Sequence, residues 1–135
     1  MSLIQGELII AVDFDGTITT EPDMGKPLVL QAECKRVLTK LADDGIQLIL
    51  WTCRTGKALS EALRFLDEND MANIWVAIND QHPAVLAKYY PDVARKAGAD
   101  FYIDDKVLGF EVDWLEIEHT LYGCIEEEED VNASA

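Results

Sequence analysis

No apolar run in the 135-residue chain approaches the roughly 20 residues that a membrane-crossing helix needs. Its N-terminus carries no basic segment followed by a hydrophobic stretch and a cleavage site. Both absences point to a cytoplasmic protein without a membrane partner. Cys34, Cys53 and Cys124 are odd in number, far apart and form no CxxC pair, which argues against a disulfide framework and a zinc site. Positive charge is scarce: 11 Lys and Arg stand against 26 Asp and Glu, for a net charge of -15. Affinity for phosphate polymers comes from clustered cations, so nucleic acid is admitted as a partner only through a substrate end that meets a local basic patch. Histidine is limited to His82 and His119, and no Ser or Cys has a plausible His base, so a hydrolase triad is unsupported. His82 lies in a loop, His119 within a helical pattern, and Cys53 reads as packing rather than as a nucleophile. No internal repeat is present.

The chain does have enough length for one domain with a substantial core. Residues 1–125 read as a single α/β domain and residues 126–135, opening with an acidic run from Glu126 to Asp130, as a solvated, disordered tail. Four apolar runs have strand length: Leu8 to Val12, Gln47 to Trp51, Ile74 to Ile78 and Phe101 to Ile103. Runs this apolar suit strands covered on both faces. Helical patterns alternate with them. Val37, Leu38 and Leu41 share one face and stop at Gly45; Leu59, Ala62, Leu63 and Leu66 share another. A third helix follows Pro83 through Val85, Leu86 and Tyr89, with Pro91 interrupting it, and a fourth starts at Asp113, which has capping-box spacing to Glu116. The alternation predicts a three-layer, Rossmann-like parallel sheet with helices on both faces, whose ligands bind at the carboxyl ends of the strands.

Those ends are where the polar residues gather. Asp13 and Asp15 follow the first run, Thr52 the second, Asn79 and Asp80 the third, Asp104 and Asp105 the fourth. Close carboxylates that are all ionised repel by about 4 kcal/mol per pair at moderate dielectric. A hard cation relieves this, and an all-oxygen ligand set suits Mg²⁺. Gly16 and Thr17 allow an immediate turn that aims backbone N–H groups at an anion. Thr52, ahead of a helix starting near Gly56 or Lys57, offers a hydroxyl to a phosphate oxygen or serves as an ordinary cap. Lys96 could reach the same edge as a point charge, with Lys88, Arg54, Lys57 and Lys106 competing for that role.

DFDGT after the first strand, Thr52 after the second, and Lys96 followed by the pair Asp104-Asp105 after the fourth resemble, in order, the signatures of the haloacid dehalogenase-like (HAD) phosphatase superfamily. The segment RKAGADFYIDDKVLG is similar to the small, capless members and favours Lys96 as the signature lysine. The resemblance implies that Asp13 attacks phosphorus and forms an aspartyl-phosphate. Asp15 would protonate the leaving oxygen and then activate water. It implies Mg²⁺ held by Asp13, the Asp15 backbone oxygen, Asp104, and Asp105 through water, with Thr52 and Lys96 on the phosphoryl oxygens.

In that superfamily, caps are inserted between the first and second or the second and third signatures. Here the intervening residues are taken up by the strands and helices above, so no cap domain is expected, and Thr19 to Leu30 reads as a short flap. An open site suits a large phosphorylated substrate or enclosure by a second copy of the chain. Rival readings are a phosphotransferase of the same chemistry, a dehalogenase, a receiver-type signalling domain, and a non-enzymatic domain that binds Mg²⁺ and phosphate. The acidic pair after the fourth strand opposes the receiver order, and Asp15 opposes a dehalogenase.

Overall fold

A computed structural model describes residues 2–4 and 7–124 of the chain; the tail expected at 126–135 lies outside them. Four strands, β1 (Ile9–Val12), β2 (Gln47–Leu50), β3 (Trp75–Ile78) and β4 (Phe101–Ile103), alternate with four helices, α1 (Cys34–Asp43), α2 (Gly56–Glu68), α3 (Pro83–Tyr89) and α4 (Trp114–Tyr122). The sheet is parallel throughout, in the order β3-β2-β1-β4. The Rossmann-like α/β architecture follows, and no cap domain interrupts it among the described residues.

Strand order explains how the layers are loaded. The steps from β1 to β2 to β3 run in one direction, so right-handed crossovers place α1 and α2 on one face; the return past β1 to β4 places its connection on the other. The main core accordingly joins Ile10, Val12, Leu48 and Leu50 to Val37, Leu38 and Leu41 of α1, Ala62 and Leu66 of α2, and Trp114, Ile117 and Leu121 of α4. The opposite face is thinner. Ala11 and Ile49 pack under Ala97, with Ile9, Trp51, Ala77 and Ala99 around them, and α3 buries none of its residues.

Strands covered on both faces describe β1 and β2 but not the outer pair. Val76 and Ile78 of β3 are 37% and 39% exposed, and Tyr102 of β4 is 41% exposed. Each outer strand has a neighbour on one side only, and the thin face leaves its outward residues open.

Local chemistry sets the helix ends. Gly45 accepts the left-handed φ of +85° that ends α1, where the Ile46 amide donates to the Leu41 carbonyl at 3.0 Å. The Asp113 carboxylate accepts from the amides of Leu115 at 3.0 Å and Glu116 at 3.3 Å, capping α4 as its spacing predicts. α1 and α4 are also tied by charge: fully buried Glu118 accepts from Arg36 at 2.8 and 2.9 Å and from Lys40 at 3.0 Å. No helix among the described residues is long and apolar enough to cross a membrane.

Candidate functional site

The site begins where β1 runs out. Asp13 still donates its amide to Ile103 of β4 at 2.9 Å, and the Phe14 carbonyl then accepts the amides of Thr17, Ile18 and Thr19 at 3.2, 2.9 and 3.2 Å, a tight turn. Period-two alternation buries Phe14, whose ring meets Phe65 of α2 edge-on at 5.9 Å, and turns Asp13 and Asp15 away from that core. Gly16 has a φ of +77°, and a Cβ there would stand 2.2 Å from Asp105 Oδ2, so only glycine lets the turn come this close to β4. Trp114 of α4 pins the turn from below, its indole N–H donating to the Thr17 carbonyl at 2.9 Å.

The strand order separates the two carboxylates of β1. Asp13 joins the β4 side: Asp13, Asp104 and Asp105, all half-buried, each present an oxygen within 4.8 Å of the others. Thr17 braces this group. Its buried hydroxyl lies 3.4 Å from both Asp13 Oδ2 and Asp105 Oδ1 and accepts the Asp105 amide at 3.0 Å. Burial above all, then the hydrogen bond with Asp105 and the charge of Asp104, push the Asp13 carboxyl up to about 7, against a smaller downward pull from the Phe14 amide. The three carboxylates form a hard, all-oxygen donor set of the kind that fits Mg²⁺.

Asp15 is drawn to the β2 side, where Arg54 Nη2 meets Oδ1 at 2.7 Å and Nε meets Oδ2 at 2.9 Å. Thr52 stands in the same loop. Its amide donates to Asn79 Oδ1 at 2.8 Å and its hydroxyl accepts the Arg54 amide at 3.2 Å, which leaves the hydroxyl proton to offer. Asn79, in a left-handed conformation with φ 52°, also donates Nδ2 to the Arg54 carbonyl at 3.1 Å. It thus locks the β2 and β3 exits together.

Lys96 has no described contact with the carboxylate group. It is exposed and its Nζ lies 5.0 Å from the centroid of the Tyr102 ring, on the thin face. Lys106 instead stands beside the carboxylates, 3.3 Å from Asp105 Oδ2 and 3.9 Å from Glu21 at the start of the expected flap. The flap is closed at its base by the pairing of Thr19 with Leu30. The backbone oxygen of Asp15 has no described contact with the carboxylate group. In the sequence Arg54 and Lys106 read as cations that compete with Lys96 or join it and Lys57 in a local positive patch, and nothing there marks the bridging role of Thr17. Asn79 was visible only as a polar residue at a strand end.

No protein-family model matches the chain, and a search of curated proteins returns no match. Among solved structures it is similar to a conserved protein from Bacteroides thetaiotaomicron, at 30% identity and a TM-score of 0.69, over 84% of this chain and 88% of that one.

Proposed function

We propose that this chain, which belongs to the same family as that conserved Bacteroides protein, is a cytoplasmic, magnesium-dependent phosphomonoester hydrolase of HAD type working through an aspartyl-phosphate. The observation that carries the reading is convergence. Residues following β1, β2 and β4 lie at one sheet edge, and three of them, Asp13, Asp104 and Asp105, bring carboxylate oxygens within 4.8 Å of one another.

Asp13 is the nucleophile. The Thr17 hydroxyl and the β4 pairing of its own amide fix its direction, which removes much of the orientational entropy from the attack. Asp15 supplies a proton to the leaving oxygen in the first step and takes one from water in the second, so a single acid/base serves both. Thr52 offers its hydroxyl proton to a phosphoryl oxygen, whereas the amides of Gly16 and Thr17, expected to face an anion, are turned inward to Thr19 Oγ1 at 3.4 Å and the Phe14 carbonyl at 3.2 Å. Asp13, Asp104 and Asp105 would hold Mg²⁺, which supplies charge neutralisation between two anions that must meet. With no cap among the described residues, the edge admits a phosphate carried on a large substrate.

Phosphate release from an aryl phosphate tests this reading. Wild-type protein with Mg²⁺ should turn over; chelation or Asp13→Asn should reduce the rate by at least about 1,000-fold, the scale of losing a covalent nucleophile. Activity that survives either change rejects the mechanism.

A further inference from the structure

Arg54 is held more firmly than an ion-pair partner needs to be. Its Nη1 donates to the Ala58 carbonyl in the first turn of α2 at 3.0 Å, its amide to Thr52 Oγ1 at 3.2 Å, and its carbonyl accepts from Asn79 at 3.1 Å. The guanidinium carbon sits 5.1 Å from the centroid of the Phe14 ring. Its side chain is 16% exposed against 35% for Asp15. Exposed ion pairs contribute little because two long side chains must be ordered to make them. Here one partner is already ordered by its own loop, and the planar fork can impose its geometry on the other.

We propose that Arg54 is the positioning residue for Asp15, holding that carboxylate on the β2 side of the site, out of the group formed by Asp13, Asp104 and Asp105. The proposal rests on the phosphatase reading above. In the first half of that reaction the Asp13 oxygen bonds to phosphorus, the bond to the leaving oxygen breaks, and the proton on Asp15 passes to that oxygen. In the second, the water oxygen bonds to phosphorus, the bond to Asp13 breaks, and a water proton returns to Asp15. Arg54 moves no proton: Nη2 and Nε, 2.7 and 3.1 Å from Oδ1, hold that oxygen while Oδ2 gives up its 2.9 Å contact and carries the proton. It keeps Asp15 from swinging into the neighbouring carboxylates, and a misplacement of about 1 Å is enough to cost about 100-fold in rate.

The test compares leaving groups. An alkyl phosphate needs its leaving oxygen protonated, whereas p-nitrophenyl phosphate scarcely does. Arg54→Ala should lower kcat about 100-fold on the alkyl ester and less than about 10-fold on the aryl ester, with KM little changed, and Arg54→Lys should recover part of the loss. In an Asp15→Asn background, Arg54→Ala should add no further loss, because the residue it acts through is already disabled. Additive losses, an equal loss on both esters, or a loss confined to KM would overturn the proposal and make Arg54 a phosphate-binding group. Should Arg54→Ala fail to fold, Arg54→Lys with and without Asp15→Asn carries the same comparison. A wild type that releases no phosphate from either ester rejects the phosphatase reading and this proposal with it; an active wild type with additive losses rejects this proposal alone.

Discussion

Burial, the hydrogen bond with Asp105 and the charge of Asp104 hold a proton on Asp13 up to about pH 7. A carboxyl whose folded pKa lies above its unfolded 3.8 stabilises the fold while neutral. That contribution is complete below about pH 4 and is lost as pH rises toward 7. Asp105 moves in the opposite direction: desolvation pushes it up, but the Asp13 hydrogen bond and Lys106 outweigh that and bring it down. A divalent cation competes with the shared proton, so Mg²⁺ binding should release close to one proton at pH 6 and almost none at pH 8. Titration calorimetry in two buffers of different ionisation enthalpy measures this directly, and Asp13→Asn should abolish the difference between them. Equal heats at pH 6 in the wild type would contradict it. The acids at the strand ends were legible in the sequence because a buried apolar run fixes where the chain emerges. The grip of Arg54 on Asp15 was not, because it depends on how a loop after β2 folds back toward β1, and no periodicity encodes that.

Glu118 makes the same point for α4. In the run Leu115-Glu116-Ile117-Glu118 it reads as one more solvated acid of a very acidic chain, yet it is fully buried between Arg36 and Lys40 of α1. Helical phase did hold the signal: Trp114, Ile117, Glu118 and Leu121 follow the i, i+3, i+4, i+7 rule for one face, and all four are buried. A charge on a core-facing stripe implies a partner, although sequence does not say which helix supplies it. Removing the buried carboxylate takes from Arg36 and Lys40 the acceptor they share, leaving Arg36 with Glu33 at 2.8 Å and Lys40 with the Tyr122 ring. Glu118→Gln should therefore destabilise the protein by about 3 kcal/mol in urea denaturation, far more than loss of an exposed pair such as Lys26 with Asp23. A cost below about 1 kcal/mol would show that α1 and α4 can be held by Leu38, Leu41, Ile117 and their apolar neighbours alone.

At the scale of the whole molecule, the alternation of strands and helices was enough to read a parallel, layered sheet, while the order β3-β2-β1-β4 was not written in any local pattern. That order decides which face receives three helices and which receives one short helix and an irregular stretch. The lightly covered face depends heavily on Gln81. Its buried amide donates to the carbonyls of Ala94 at 2.8 Å and Lys96 at 2.6 Å, and its oxygen accepts the Gly98 amide at 2.7 Å. Gln81→Ala should therefore speed amide hydrogen exchange at residues 94–98 at least about 10-fold. Ile10 to Val12 and Leu48 to Leu50 should keep exchanging only on global unfolding. Uniform acceleration across all four strands would mean that the two faces open together. The expected asymmetry gives the domain two thresholds of opening, a low one for the face under Ala97 and a high one for β1 and β2, so the segment bearing Lys96 can part from the sheet while Asp13 and Thr52 stay in register.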